Sequence, residues 1–97
     1  MILQLTKGYP ELILMTACDT PLFYKIAEWL QEKFDISFIK KIDSSQDIVW
    51  EFLFDKSLMA LKYDLLNGLF ICPVALNQLT GEDRQAFNKL VEKLTDN

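Results

Sequence analysis

The chain has 97 residues, 51% apolar and 25% charged, and a formal net charge of -4. This is the size and composition of one globular domain, residues 1–97, that buries roughly two-thirds of its unfolded surface without staples, and it is neither disordered nor fibrous. Fourteen carboxylates against nine lysines and Arg84 leave no basic stripe for a phosphate backbone, so nucleic acid is not an expected partner.

No apolar run approaches the ~20 residues of a membrane span, and Met1 to Lys7 lacks the basic start and apolar stretch of a signal peptide. The expectation is a cytoplasmic protein with no membrane partner. Cys18 and Cys72 read as two reduced thiols, and a chain without histidine offers no zinc pattern.

At the N-terminus, Ile2 to Leu5 and Leu12 to Met15 are apolar segments separated by Thr6-Lys7-Gly8-Tyr9-Pro10, which predicts a hairpin. Thr20-Pro21 then marks a helix start, with Thr20 as cap and Pro21 at the first helical position. Leu22, Phe23, Ile26, Ala27, Trp29, Leu30 and Phe34 recur at three- and four-residue steps and form its buried stripe. Near the C-terminus, Thr80 and Asp83 approximate a capping box, followed by a stripe of Phe87, Leu90, Val91 and Leu94.

Between the helices the period is two, which predicts an antiparallel meander from Ile36 to Val74. A two-residue turn at Asn67-Gly68 pairs Leu66 with Leu69, so that Leu65 meets Phe70, Tyr63 meets Cys72 and Leu61 meets Val74 on one face, while Asp64 meets Ile71 on the other. A turn at Lys56-Ser57 sets Phe54 opposite Met59, Phe52 opposite Leu61, Trp50 opposite Tyr63 and Glu51 opposite Lys62. A loop at Ser44-Ser45-Gln46 puts Phe38 beside Phe52 and Lys40 against Trp50. All three agree on one aromatic face, because a one-residue slip would exchange the faces.

The fold expected is α+β: a two-layer sandwich in the order β-β-α-β-β-β-β-α, with a mainly antiparallel sheet and two amphipathic helices packed on its aromatic face. A parallel βαβ crossover over Leu12 to Ile42 stays open as an alternative.

Chemistry is thinly provided. There is no histidine for general acid-base work, and Asp43, Asp47, Asp55 and Asp64 stand at strand ends and turns, where aspartate bonds its own backbone. Gly8, Gly68 and Gly81 lack the spacing of a phosphate or calcium loop, so no metal and no cofactor is expected. Cys18, after a strand and before a helix, resembles the thioredoxin-like redox proteins in arrangement, which implies a reactive thiol. Thr20 and Pro21 stand where that motif holds its second cysteine.

With both helices on the aromatic face, the reverse face is the candidate interaction surface, carrying Ile39, Val49, Glu51, Leu53, Leu58, Ala60, Lys62 and Ile71. The function expected is a non-catalytic protein-interaction domain that meets a protein partner or a second copy of itself through that face, with a Glu51–Lys62 pair in its middle. The alternative is a redox protein centred on Cys18.

Overall fold

Residues 2–6, 9–74 and 79–96 are described by a computed structural model. The elements follow the expected order: β1 (Ile2–Thr6), β2 (Tyr9–Met15), α1 (Thr20–Phe34), β3 (Phe38–Asp43), β4 (Asp47–Phe54), β5 (Ser57–Asp64), β6 (Gly68–Pro73) and α2 (Gly81–Thr95). The strands form one sheet in the order β1-β2-β6-β5-β4-β3, with every pairing antiparallel. β1 and β2 form the N-terminal hairpin, whose turn at Lys7-Gly8 lies outside the described residues. Four successive reversals leave β2 and β3 pointing the same way with three strands between them. The segment through α1 is therefore a crossover between parallel strands of one sheet, as the βαβ alternative over Leu12 to Ile42 had it, but the two strands are not neighbours.

Helix α1 begins one residue earlier than its Thr-Pro signal. Asp19 is the cap, its carboxylate accepting from the Leu22 N–H at 2.9 Å, and Pro21 sits in the first turn, where its missing N–H has no partner to lose. The helix stops at Asp35, which takes a left-handed φ of 57°. At α2 the capping box forms in full: Asp83 N–H donates to Thr80 Oγ1, and Thr80 N–H to the Asp83 carboxylate, each at 3.1 Å. The bond from the Thr80 N–H, followed by one from the Ser57 side chain, leads the causes that hold the Asp83 carboxyl below the usual carboxylate range.

Phe23, Ala27 and Leu30 from α1 and Ala86, Phe87, Leu90 and Leu94 from α2 join one core with Leu12, Ile48, Phe52, Met59, Leu61, Tyr63, Leu69 and Ile71. Both helices thus share one face of the sheet. Phe38, Trp50 and Phe52 extend that face with edge contacts at centroid separations of 5.2 and 5.7 Å.

The registers depart from the sequence reading at each turn. The β4–β5 turn is Asp55-Lys56, both with positive φ (52° and 70°), which pairs Phe52 with Met59, Trp50 with Leu61 and Val49 with Lys62. This slip of two residues preserves the faces. The β5–β6 reversal occupies Leu65 to Asn67, and Asp64 pairs with Gly68. The Asp64 carboxylate accepts from the backbone N–H groups of Leu66 (2.9 Å) and Asn67 (2.6 Å) and from the Asn67 amide (3.0 Å), which holds the longer turn.

The resulting shift of three exchanges the faces of β6. Leu69 and Ile71 enter the core, while Phe70 and Cys72 turn to the reverse face, where they form a second small cluster with Ile13. All six residues of β6 are buried, as befits a central strand.

Asp55 suits the first position of a turn with two positive φ values, but Lys56 does not suit the second, where glycine is favoured. Lys56→Gly is therefore expected to stabilise the protein by about 1 kcal/mol, since glycine avoids the Cβ penalty of left-handed backbone. A urea midpoint that falls in this variant would contradict the strain.

Candidate functional site

The reverse face divides into two halves. Toward β2 and β6, Ile13, Phe70 and Cys72 are buried, and Ala60 beside them on β5 exposes no surface. Toward the β3 edge the face opens: Ile39, Ile42 and Leu53 are 60%, 46% and 53% exposed, and Val49 and Leu58 are half-buried between them. Pairing makes these residues contiguous, with Ile42 opposite Val49 and Leu53 opposite Leu58.

Of the residues expected on this surface, Ile39, Val49, Glu51, Leu53, Leu58 and Lys62 lie on it. Ile71 does not, because the β6 register places it in the core at 0% exposure. Ala60 is on the right face but is shadowed by its neighbours. Glu51 pairs with Ala60 and Lys62 with Val49, so the expected Glu51–Lys62 partners are diagonal rather than opposite. The three exposed side chains present on the order of 300 Å² of apolar surface, as large as the main apolar patch of a typical monomer.

A β-bulge reshapes the edge strand. Phe38 opposes Phe52 as expected, but Ile39 and Lys40 together oppose Glu51, so the remaining register is displaced by one. Lys41 then faces Trp50 in place of Lys40, its ammonium 4.4 Å from the ring centroid. The bulge and paired lysines also blunt the free edge against strand addition.

The same displacement brings Asp43 to the helix side of the sheet. Its carboxylate accepts from the Trp50 indole N–H and from the Tyr24 hydroxyl of α1, each at 2.7 Å, tying the first helix to the edge strand. The Trp50 bond, then that of Tyr24, holds the Asp43 carboxyl below its ordinary range, and the phenol of Tyr24 is raised in return, first by that bond.

A depressed carboxylate contributes its stabilisation above the unfolded pKa and loses it as pH falls through the folded one. The indole N–H resonance of Trp50 is expected to hold steady from neutral pH to about pH 4, the ordinary carboxylate value, and to move only below it. A shift centred above pH 4 would contradict the two bonds.

Cys18 is half-buried ahead of the helix cap, with its Sγ donating to the Asp19 carbonyl at 3.3 Å. Burial, and then the Asp19 carboxylate, pushes its thiol up, the opposite of what activates a nucleophile. Burial also leads the rise in the Cys72 thiol, which the sequence reading had placed in the aromatic core.

Among the described residues, no group of three or more acidic or cysteine side chains is placed to hold a metal ion, and no helix is long and apolar enough to cross a membrane. An open cleft of about 410 Å³ lies between the β3–β4 loop and the β5–β6 turn, lined by Gln46, Asp47, Asp64, Leu65 and Leu66. Leu65 and Leu66, 76% and 93% exposed, form the hairpin tip itself. The Tyr24–Asp43–Trp50 node was hidden from sequence reasoning. The adjacent Lys40 and Lys41, which interrupt a period of two, were the one signal of a bulge.

No family model, curated protein or solved structure matches this chain.

Proposed function

We propose that this chain is a non-catalytic interaction domain of the cytoplasm that pairs weakly and reversibly with a second copy of itself through the outer face of β3, β4 and β5. The observation that carries the reading is the contiguous exposure of Ile39, Ile42 and Leu53 on the face opposite both helices. An isologous contact sets each residue against its counterpart's neighbour twice over. Lys40 and Glu51, paired across β3 and β4, supply a charge of each sign for that exchange. Two free cysteines fit a reducing compartment.

The patch is well under the ~800 Å² per partner of a standard interface, which favours a concentration-dependent pair over an obligate dimer. Sedimentation equilibrium over a wide concentration range tests it. Association that is abolished by Leu53→Glu, weakened by Lys40→Glu, and restored when Lys40→Glu is combined with Glu51→Lys is the expected result. A wild-type monomer at every concentration would remove the proposal.

A further inference from the structure

A second feature, independent of the outer face, lies where α1 meets the edge strand. Trp50 is half-buried, with Phe23 and Phe38 packed edge-on against it at 5.2 Å. Tyr24, 42% exposed, stands 5.6 Å from it at a tilt of 56°. The Asp43 carboxylate fixes both rings by accepting from each, so the aromatic faces and the negative charge are held in one rigid arrangement. The two donors are neutral, and the carboxylate keeps its charge.

An aromatic face carries negative electrostatic potential, and a carboxylate at its rim deepens it, the combination that attracts a cation. The exposed Lys41 already occupies the position, with its ammonium 4.4 Å from the Trp50 centroid. That contact demonstrates access to the ring, and a long surface side chain is readily displaced.

We propose that the Trp50 face, with Tyr24 and Asp43 beside it, recognises a quaternary ammonium group, and that Lys41 is the built-in competitor for the site. The class follows from the partners. Each carboxylate oxygen already accepts one hydrogen bond from a ring and keeps a second lone pair, so the carboxylate attracts a cation through its charge whether or not that cation donates. Methylation weakens the hydration that a primary ammonium must surrender over an aromatic surface. The same headgroup could come from a free choline-like molecule or from a trimethylated lysine of a protein.

The test follows the indole N–H resonances of Trp50 and Trp29 in the intact chain during titration with tetramethylammonium chloride, with sodium chloride as the ionic-strength control. A saturable shift confined to Trp50 is expected. Lys41→Ala should tighten it about two- to five-fold, the equivalent of removing a surface cation–π contact. Asp43→Asn should weaken it. Titrations with choline and with a trimethyllysine peptide distinguish the sources by which binds more tightly. Shifts that stay linear, that match sodium chloride or that move Trp29 equally would overturn the site. Equal affinity in wild type and Lys41→Ala would overturn the role of Lys41. Thermal unfolding of each variant guards against misfolding, and the wild-type titration stands without them.

Discussion

Alanine at Gly68 is expected to destabilise the protein by about 3 kcal/mol or more, which for a domain of this size lowers the melting midpoint by roughly 10–25 °C. Two causes add. Gly68 has a φ of +80°, where a Cβ costs about 1–2 kcal/mol. That Cβ would also lie 2.2 Å from the Met15 carbonyl oxygen and 2.8 Å from that of Thr16. Both obstacles are backbone, so relief requires β6 to move away from β2 at the point where their register is already irregular.

Gly81 provides the control, since a Cβ there meets nothing within 4 Å. Gly81→Ala is expected to be neutral or to stabilise by up to about 1 kcal/mol through the unfolded chain. Urea unfolding followed by tryptophan fluorescence measures both. A Gly68→Ala cost below about 1 kcal/mol would mean that β2 and β6 are not so close.

The second large effect decides the face of β6. Ile71→Ala should cost about 2–5 kcal/mol, because Ile71 is fully buried between Leu12 and Leu61 and leaves a cavity that two strands and the helices cannot close. Leu53→Ala, at a position 53% exposed, should change stability by about 0.5 kcal/mol or less. With the shorter turn at Asn67-Gly68, Ile71 would lie on the outer face, and its truncation would be as mild as that of Leu53. The ratio of the two effects therefore reads the register directly.

The turns explain which parts of the sheet were legible. At β4–β5 the turn lies at Asp55-Lys56 rather than Lys56-Ser57, and the slip is even, so Trp50, Phe52, Met59, Leu61 and Tyr63 kept the face expected of them. At β5–β6 the dipeptide Asn67-Gly68 is a strong hairpin signal, but the preceding aspartate changes its meaning. Asp64 captures the N–H groups of Leu66 and Asn67, a longer turn forms, and an odd slip follows. Aspartate at the head of a turn was the local sign of it. At β3 the bulge turned Lys41 and Asp43 toward the helices, and nothing in a period-two pattern positions an extra residue.

The order of elements, the helix caps near residues 20 and 80 and the burial stripes of both helices were determined by the sequence itself, because each rests on contacts within a few residues. Antiparallel pairing of the meander followed for the same reason. The strand order was decided only in three dimensions: β6 inserts between β2 and β5 because the aromatic face must be closed beneath two helices, a requirement of long-range packing. So was the final composition of the outer face. Its β2–β6 side holds Ile13, Phe70 and Cys72 in a buried cluster, while Ile39, Ile42 and Leu53 remain open at the β3 edge. Alternation assigns a residue to a face, but exposure on that face depends on which strands lie beside it, and that is settled when the sheet assembles.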